Sequence, residues 1–490
     1  MAGRVVNIQM AANLSIDPQA IPSILTVSGS WTSDVVVPRH LIGEASVAIA
    51  GYRDRFGNWC HRIAARLIPL LLFFSPILSG YSVLTHEAIV DSLWDNPIRK
   101  ILSKRFPMAT PEELEQAHAY AYGGCIIQDM GYYPFSNKLF SDLTHYVRSG
   151  DFVLALIRES QDVDEYAFAL GALAHYAADI DGHGQAVNLA VPILYPELRK
   201  KFGKTVTYWD NPLAHIRTEF GFDVLQVAQG RYATERYREF IGFKVSKPVL
   251  ERAFLDTYGL EMKDLFGGHL DLALGSFRYT TSTIIPDMTR MAWQLRKDTI
   301  VREMPGTTKQ KFLFNLSRSS YEKEWGTEYQ RPGIRGRMLA WVLRIVPKCG
   351  PFKGLAFRAP TPAVEKMFMD SFNKTIDSYR TMLLDANMDR LEIPNQNIDT
   401  GVLTVAGKYL GADLAYDRLL GKLADKKFAG IPAELRDNIL NYYDARKPPV
   451  ALPAARQSKK QLARSRADWA KVVAQLDQLR QLQTETLPAH

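Results

Sequence analysis

From residue 81 to about residue 240, apolar positions recur every three to four residues and almost no run alternates with period two. That periodicity predicts a mainly α chain. Helix starts can be read from their chemistry. Thr85 is placed to cap a helix over 87–94. Thr110 is followed by Pro111 and by acids at 112 and 113, which combines a cap, a first-turn proline and first-turn charge. That helix is expected to stop at Gly123-Gly124. A third runs over 164–178 and is apolar almost throughout, and a fourth begins at Pro212. Amphipathic stretches at 247–257 and 270–284, and another starting at Pro286, extend the pattern. Residues 346–400 are richer in proline and read as loops. Two helices are expected within 400–446, Lys447-Pro448-Pro449 marks a boundary, and 458–483 reads as a charged, Gln-rich helix loosely attached to the rest.

The organisation that follows is a poorly structured leader (1–61), a signal-like segment (62–80), a helical domain (81–240), a helical extension packing on it (241–345), a C-terminal helical region (346–446), and a linker with a terminal helix (447–490). Arg62 and Arg66 precede a 12-residue apolar run, 67–78, and then Ser79-Gly80. A basic flank, a short apolar run and small residues form a secretory signal pattern. The run is shorter than the ~20 residues that span a bilayer. The expectation is secretion or a periplasmic location, with an uncleaved anchor as the alternative. The signal sits far from Met1, which points to a translation start downstream of the first residue given.

Composition changes little in this picture. Of 490 residues, 47% are hydrophobic and 23% charged, which is ordinary for a globular protein and excludes wholesale disorder. The net charge of +8 permits anionic partners such as phosphate esters, lipid head groups or nucleic acid, and selects none of them. The three cysteines, Cys60, Cys125 and Cys349, include no CxxC pair, so a thiolate zinc site is not expected. Spacing alone does not pair Cys125 with Cys349. Gly-rich phosphate loops are absent, which argues against a nucleotide-binding enzyme.

Any metal site must therefore be built from imidazoles and carboxylates, and the chain concentrates both. Six of its ten histidines fall between His86 and His215. His175, on the apolar 164–178 stretch, and Asp179, just past it, stand four residues apart and on one helix face. Ionisable groups on such a helix are seldom buried unless paired or bound to metal. His215 and Glu219 repeat the spacing. His183 follows Asp179 across an Asp181-Gly182 step that is expected to break the helix. His86, Asp129 and His145 each read alone as structural groups; together the ordered series His86, Asp129, His145, His175, Asp179, His183, His215 and Glu219 suits zinc, which accepts both donor types. Eight donors exceed the needs of one ion and imply a cluster with a bridging carboxylate. His118 fits the series less well and is left as a core or supporting residue.

In order and residue type the series resembles the zinc-dependent phospholipase C family, with the single-strand-specific zinc nucleases as relatives. The resemblance spans about residues 81–225. It implies a multi-helical fold with a site for three zinc ions, additional C-terminal helices lying beyond it. One ion would be held by Asp129, His145, His175 and Asp179, and a second by His183, His215 and Glu219. The third would take His86, Asp179 as the bridge, and the mature amino terminus. In the family that terminus is a Trp; here Tyr81 would supply the backbone ligands if cleavage occurs before it. The resemblance also implies hydrolysis of a phosphodiester by a metal-bound hydroxide, with Asp129 orienting or deprotonating the water. Two features depart from the family. No Trp closely precedes His86, and the 179–183 step is short, followed by a long insertion before His215, so that Asp181 competes with His183 as ligand.

Tyr132, Tyr133 and Phe135 follow Asp129 and could wall a head-group pocket, or could simply pack. The leading expectation is cleavage of a phospholipid head group, with transient contact to a membrane surface. The alternatives are a nuclease or other phosphoesterase on the same metal site, and a metal-stabilised binding protein without turnover. Oligomeric state is not encoded in any of these features.

Overall fold

The computed structural model describes residues 83–228, 242–285, 357–443 and 459–485, together with isolated positions between 288 and 302. The leader, the signal-like segment, Tyr81, Cys349, the helix expected from Pro286 and the Lys447–Pro449 boundary lie outside the described residues. All the described residues fall in one compact unit, Pro69–His490.

Helix α1 (Val83–Leu93) leads through a proline-containing turn into α2 (Arg99–Arg105). Thr85 does not cap α1. It lies inside the helix, where its hydroxyl donates to Asp223 Oδ1 (2.7 Å) and the Leu84 N–H donates to Oδ2 (3.1 Å). A carboxylate from elsewhere in the chain thus meets the backbone N–H of Leu84, a tertiary contact rather than a local cap.

Helix α3 (Pro111–Gly124) begins as its sequence demands. Thr110 Oγ1 accepts from Glu113 N and Glu113 Oε2 accepts from Thr110 N, a reciprocal pair that satisfies two donors. A single 3₁₀ turn (Ile127–Tyr132) carries Asp129. Then follow α4 (Lys138–Tyr146), α5 (Ser149–Glu159) and α6 (Val163–Gly182).

Helix α6, capped by Asp162, is the axis of the domain. Nearly every residue from Glu165 to Asp179 is buried. Its Ala-rich surface lets neighbours come close. A Cβ on Gly171 would lie 2.1 Å from Ala121 O of α3, and one on Gly124 would lie 1.9 Å from Phe168 O. Helix α3 ends at Gly124, where its sequence places the stop, and the glycines also serve close contact.

The Asp181-Gly182 step does not break α6 either. The helix passes directly into a wider turn (His183–Val187) and then α7 (Asn188–Leu194). His183 therefore stays one turn beyond Asp179 on continuous helical backbone. Helices α8 (Pro196–Phe202), α9 (Pro212–Ala228), α10 (Lys247–Tyr258), α11 (Met262–Phe266) and α12 (Leu270–Tyr279) complete the first part.

The reading of 346–400 as loops needs correction. Residues Pro362–Asn387 form α13, a 26-residue helix capped by Thr361 with Pro362 in its first turn. It packs along α6, where Tyr379 OH donates to Leu170 O (2.8 Å). A short antiparallel pair, β1 (Gln396–Asn397) and β2 (Val402–Leu403), frames a tight loop. Helices α14 (Leu410–Asp425), α15 (Ala433–Tyr442) and α16 (Lys459–Glu485) follow. Helix α16 is not loosely attached throughout, because Val472, Leu476 and Leu479 are buried where it meets α14. Burying side chains of this size is worth about 1.5–3 kcal/mol each. Among the described residues no helix is long and apolar enough to cross a membrane.

Candidate metal centre

Asp179 lies at the centre of the constellation. Its Oδ2 is 3.2 Å from His175 Nε2 and 3.5 Å from His145 Nε2; its Oδ1 is 3.5 Å from His86 Nε2 and 3.9 Å from His183 Nε2. Four imidazoles from α1, α4, α6 and the turn after α6 thus address the two oxygens of one carboxylate. Asp129, on the 3₁₀ turn, brings Oδ1 to 3.2 Å from His145 Nε2. At the other end Glu219 Oε1 lies 2.8 Å from His215 Nε2 and 3.2 Å from His183 Nε2. All eight side chains are buried. They fall into three sets, His86/Asp129/His175, His145/His175/Asp179 and His183/His215/Glu219, joined by a fourth, Asp179/His183/Asp399, each with ligand atoms within 4.8 Å of one another.

The local backbone explains the aim of two of these rings. His145 Nδ1 lies 2.8 Å from Ser141 O, and His175 Nδ1 lies 3.0 Å from Cys125 O. Carbonyls only accept, so each Nδ1 carries the hydrogen and each Nε2 presents its lone pair inward. This is the arrangement by which outer contacts orient metal-binding histidines.

The donor set can be tested against a cation without any ion in view. The oxygens of Asp129, Asp179 and Glu219, and Nε2 of His175 and His215, are buried and form no hydrogen bond of good geometry. Lone pairs therefore face lone pairs in a desolvated site, which costs several kcal/mol unless positive charge lies between them. Without a cation, protons must fill that role. Burial disfavours charge on His145, yet its contacts to Asp129 and Asp179 outweigh burial and push it up to about 10. His183 is raised too, burial being overcome by Asp179, Asp399 and Glu219. His86 goes the other way, lowered by burial and by the neighbouring His175. Burial drives the Asp129 carboxyl up, against the pull of His145 and His175. Nitrogen and oxygen donors in small groups fit zinc.

Asp181 and His183 part company. Asp181 accepts from Gln185 Nε2 and Ser378 Oγ (both 2.8 Å) and pairs with Lys374 Nζ (2.8 Å), facing α13 and away from the cluster. His183 faces Glu219. His118 is also remote: it stacks on Trp94 (3.8 Å between centroids), with Nε2 3.0 Å from Asp91 Oδ1.

The three aromatics after Asp129 separate as well. Tyr132 stands edge-on to His145 (5.9 Å), Tyr133 is buried against Phe277 (5.0 Å), and Phe135 is exposed. Only Tyr132 borders the cluster. Its partner there is Tyr208 (5.7 Å), which in turn meets His215 edge-on (5.8 Å), so two tyrosines link the two ends of the site. Lys138 Nζ lies over Tyr132 (5.2 Å) and Trp209 (4.7 Å). Cys125 is a buried free thiol whose S–H donates to Tyr122 O (3.2 Å).

One acidic residue at the cluster carried no signal in the sequence. Asp399, in the loop between β1 and β2, places Oδ1 3.5 Å from His183 Nδ1, and its Oδ2 accepts from Tyr146 OH (2.6 Å) and Tyr409 OH (2.7 Å). It stands alone in a polar stretch, with no partner at helical spacing.

No curated protein and no solved structure matches the chain. Residues 85–268 match the family model described as zinc dependent phospholipase C, a span that contains all eight clustered side chains. Over that segment the chain is similar to the zinc-dependent phospholipase C family.

Proposed function

We propose that this protein hydrolyses phosphodiesters at a trinuclear zinc site, with a phospholipid as substrate and the head-group phosphate ester as the bond cleaved. The observation that carries the reading is the convergence of four imidazoles on the two oxygens of Asp179, at 3.2–3.9 Å. A carboxylate so addressed on both oxygens suits a bridge between ions. Asp129, His145, His175 and Asp179 would hold one zinc; His183, His215 and Glu219 a second; His86 and Asp179, with the amino group and carbonyl of Tyr81 in a chain processed before that residue, the third. Bound zinc supplies Lewis acidity and lowers the pKa of water.

The chain's own residues do the rest. Ser141 O and Cys125 O hold the rings of His145 and His175 in register. The apolar shell around α6 keeps bulk water from the carboxylates, so that charge in the site acts at low dielectric. Asp129 would take the proton of the attacking water on a carboxylate oxygen. Tyr132 and Tyr208 span the two ends of the site, and Lys138 beside them is paired with the buried Asp142.

The test is a zinc assay and a substrate panel on secreted protein whose amino terminus is read by intact mass. The expected result is about three zinc ions per chain starting at Tyr81, with chelator-sensitive hydrolysis of a chromogenic phosphocholine ester. Turnover of single-stranded DNA instead would make it a nuclease. Full zinc occupancy with no turnover on any diester would make it a binding protein.

A further inference from the structure

The matched family segment ends at residue 268, yet the metal cluster does not. The β1–β2 loop reaches it from the C-terminal region and is held there at several points. Ile398 N donates to His145 O (3.2 Å), the carbonyl of a residue in the cluster. Asn188 Nδ2, just after the turn that carries His183, donates to Asp399 O (2.7 Å). Gly401 has a positive φ of 68° and sits where a Cβ would be 3.0 Å from Ile180 O, so only a residue without a side chain fits there easily. Asp399 itself is 3% exposed, and two tyrosine hydroxyls donate to one of its oxygens. The other oxygen is left directed at His183.

The geometry distinguishes two roles for this carboxylate. As a ligand it would share the Nε2 side of His183 with Glu219. Instead it faces Nδ1 at 3.5 Å, while Nε2 faces Glu219 at 3.2 Å. The two nitrogens lie on different edges of the ring, so Asp399 stands behind the imidazole and Glu219 in front of it. Ser141 O and Cys125 O occupy the corresponding positions behind His145 and His175. His183 is the member of this trio that has a carboxylate there. A carboxylate behind a metal-binding imidazole fixes the tautomer, sets the ring's orientation and raises its basicity.

We propose that Asp399 is a positioning residue for the zinc centre, acting through His183, and that the C-terminal region thereby completes the ion site formed by His183, His215 and Glu219. This rests on the zinc reading above. Tyr146 and Tyr409 hold the carboxylate in place, and Trp209 Nε1 donates to Tyr146 OH (3.2 Å), which ties the same network to the aromatic edge of the site.

The experiment measures zinc stoichiometry and affinity by chelator competition on the full chain, with cobalt substitution as a spectroscopic readout. It compares the parent protein with Asp399→Ala, Asp399→Asn and the double variant Tyr146→Phe/Tyr409→Phe. Asp399→Ala is expected to weaken one ion by about 10–100-fold and leave the remaining ions at parental affinity, with a changed cobalt spectrum for that ion alone. Asp399→Asn, which keeps the shape but not the charge, is expected to fall in between. The tyrosine pair, which keeps the carboxylate, is expected to lose less affinity than Asp399→Ala even where its melting temperature falls further. Parental affinity for every ion in Asp399→Ala would overturn the proposal, and so would equal weakening of all ions, which marks a merely structural role. A parent protein that binds no zinc would instead overturn the reading of the site itself.

Discussion

Gly171→Ala tests whether the contact between α3 and α6 sets the position of the clustered imidazoles and carboxylates. Alanine gains in a helix interior, because glycine there is unfavourable by about 0.5–1 kcal/mol. Against that, the new Cβ would meet Ala121 O at 2.1 Å and Cys125 N at 2.9 Å, and neither backbone atom can swing aside as a side-chain tip would. Ordinary contact needs more than 3 Å, so α3 and α6 must part by roughly 1 Å at this point, and overpacking of this kind typically costs about 1–3 kcal/mol. The net expectation is a loss of up to about 2.5 kcal/mol. The damage should also reach the site, since Cys125 O is the acceptor that holds His175 Nδ1. The assay is thermal unfolding of the chelated protein together with zinc affinity of the loaded one. Gly275→Ala is the control, because that glycine lies on exposed α12 with nothing within 4 Å of a Cβ, and it should gain about 0.5–1 kcal/mol. If Gly171→Ala stabilises as much as Gly275→Ala and binds zinc normally, the close approach does not hold the site and the reasoning fails.

Other outcomes follow from single contacts. Asp179→Asn should remove more zinc than Glu219→Gln, and should reduce diesterase activity at least about tenfold further, because four imidazoles address Asp179 and two address Glu219; equal zinc contents would contradict the bridging role. His145 in the chelated protein is raised from 6.5 to about 10, so the stability its charge contributes is complete below pH 6.5 and lost as pH rises through about 10. On the proposed reading zinc would take the place of that proton, and the gap in melting temperature between loaded and chelated protein should widen from pH 6.5 to 9.5; a gap that stays constant would show that no ligand proton is displaced. Tyr379→Phe removes the donor to Leu170 O between α13 and α6 and should cost about 0.5–1.5 kcal/mol in chemical denaturation, with zinc content unchanged.

Much of the site was legible because its pairs are local. His175 with Asp179 and His215 with Glu219 sit at i, i+4, a spacing that helical backbone converts directly into one face. The cap at Thr110 was legible for the same reason, since all its atoms lie within four residues. The errors lie where distant chain intervenes. Thr85 resembled a cap because Asp223, the group that meets the donors of α1, is 138 residues away. Asp181-Gly182 resembled a helix end because glycine serves both termination and close approach, and only the packing partner tells which. Helix α13 was hidden by the prolines around it, although Thr361-Pro362 is the same kind of start as Thr110-Pro111.

Asp399 shows what kind of information such a reading lacks. Each half of the metal centre is written within one helix or one turn, but nothing local brings the halves together. Their join runs through the turn after α6. Asn188 O accepts from Val206 N (2.9 Å), which brings the segment leading to α9 alongside, and the Asn188 side chain holds the carbonyl of Asp399. Both contacts link residues whose spacing has no period. The His183 ring lies between the two halves, touching Asp179, Glu219 and Asp399 through two nitrogens. It is the member of the cluster whose orientation depends most on tertiary packing, and a continuous helical turn, a short sheet and the C-terminal region must all form before it is aimed. Chelated protein should accordingly lose the β1–β2 loop first: amide exchange at Ile398 and Gly401, which donate to His145 O and Asn397 O, should rise before exchange in α6. Protection of the loop as strong as that of α6 after chelation would show that it is held without the metal centre.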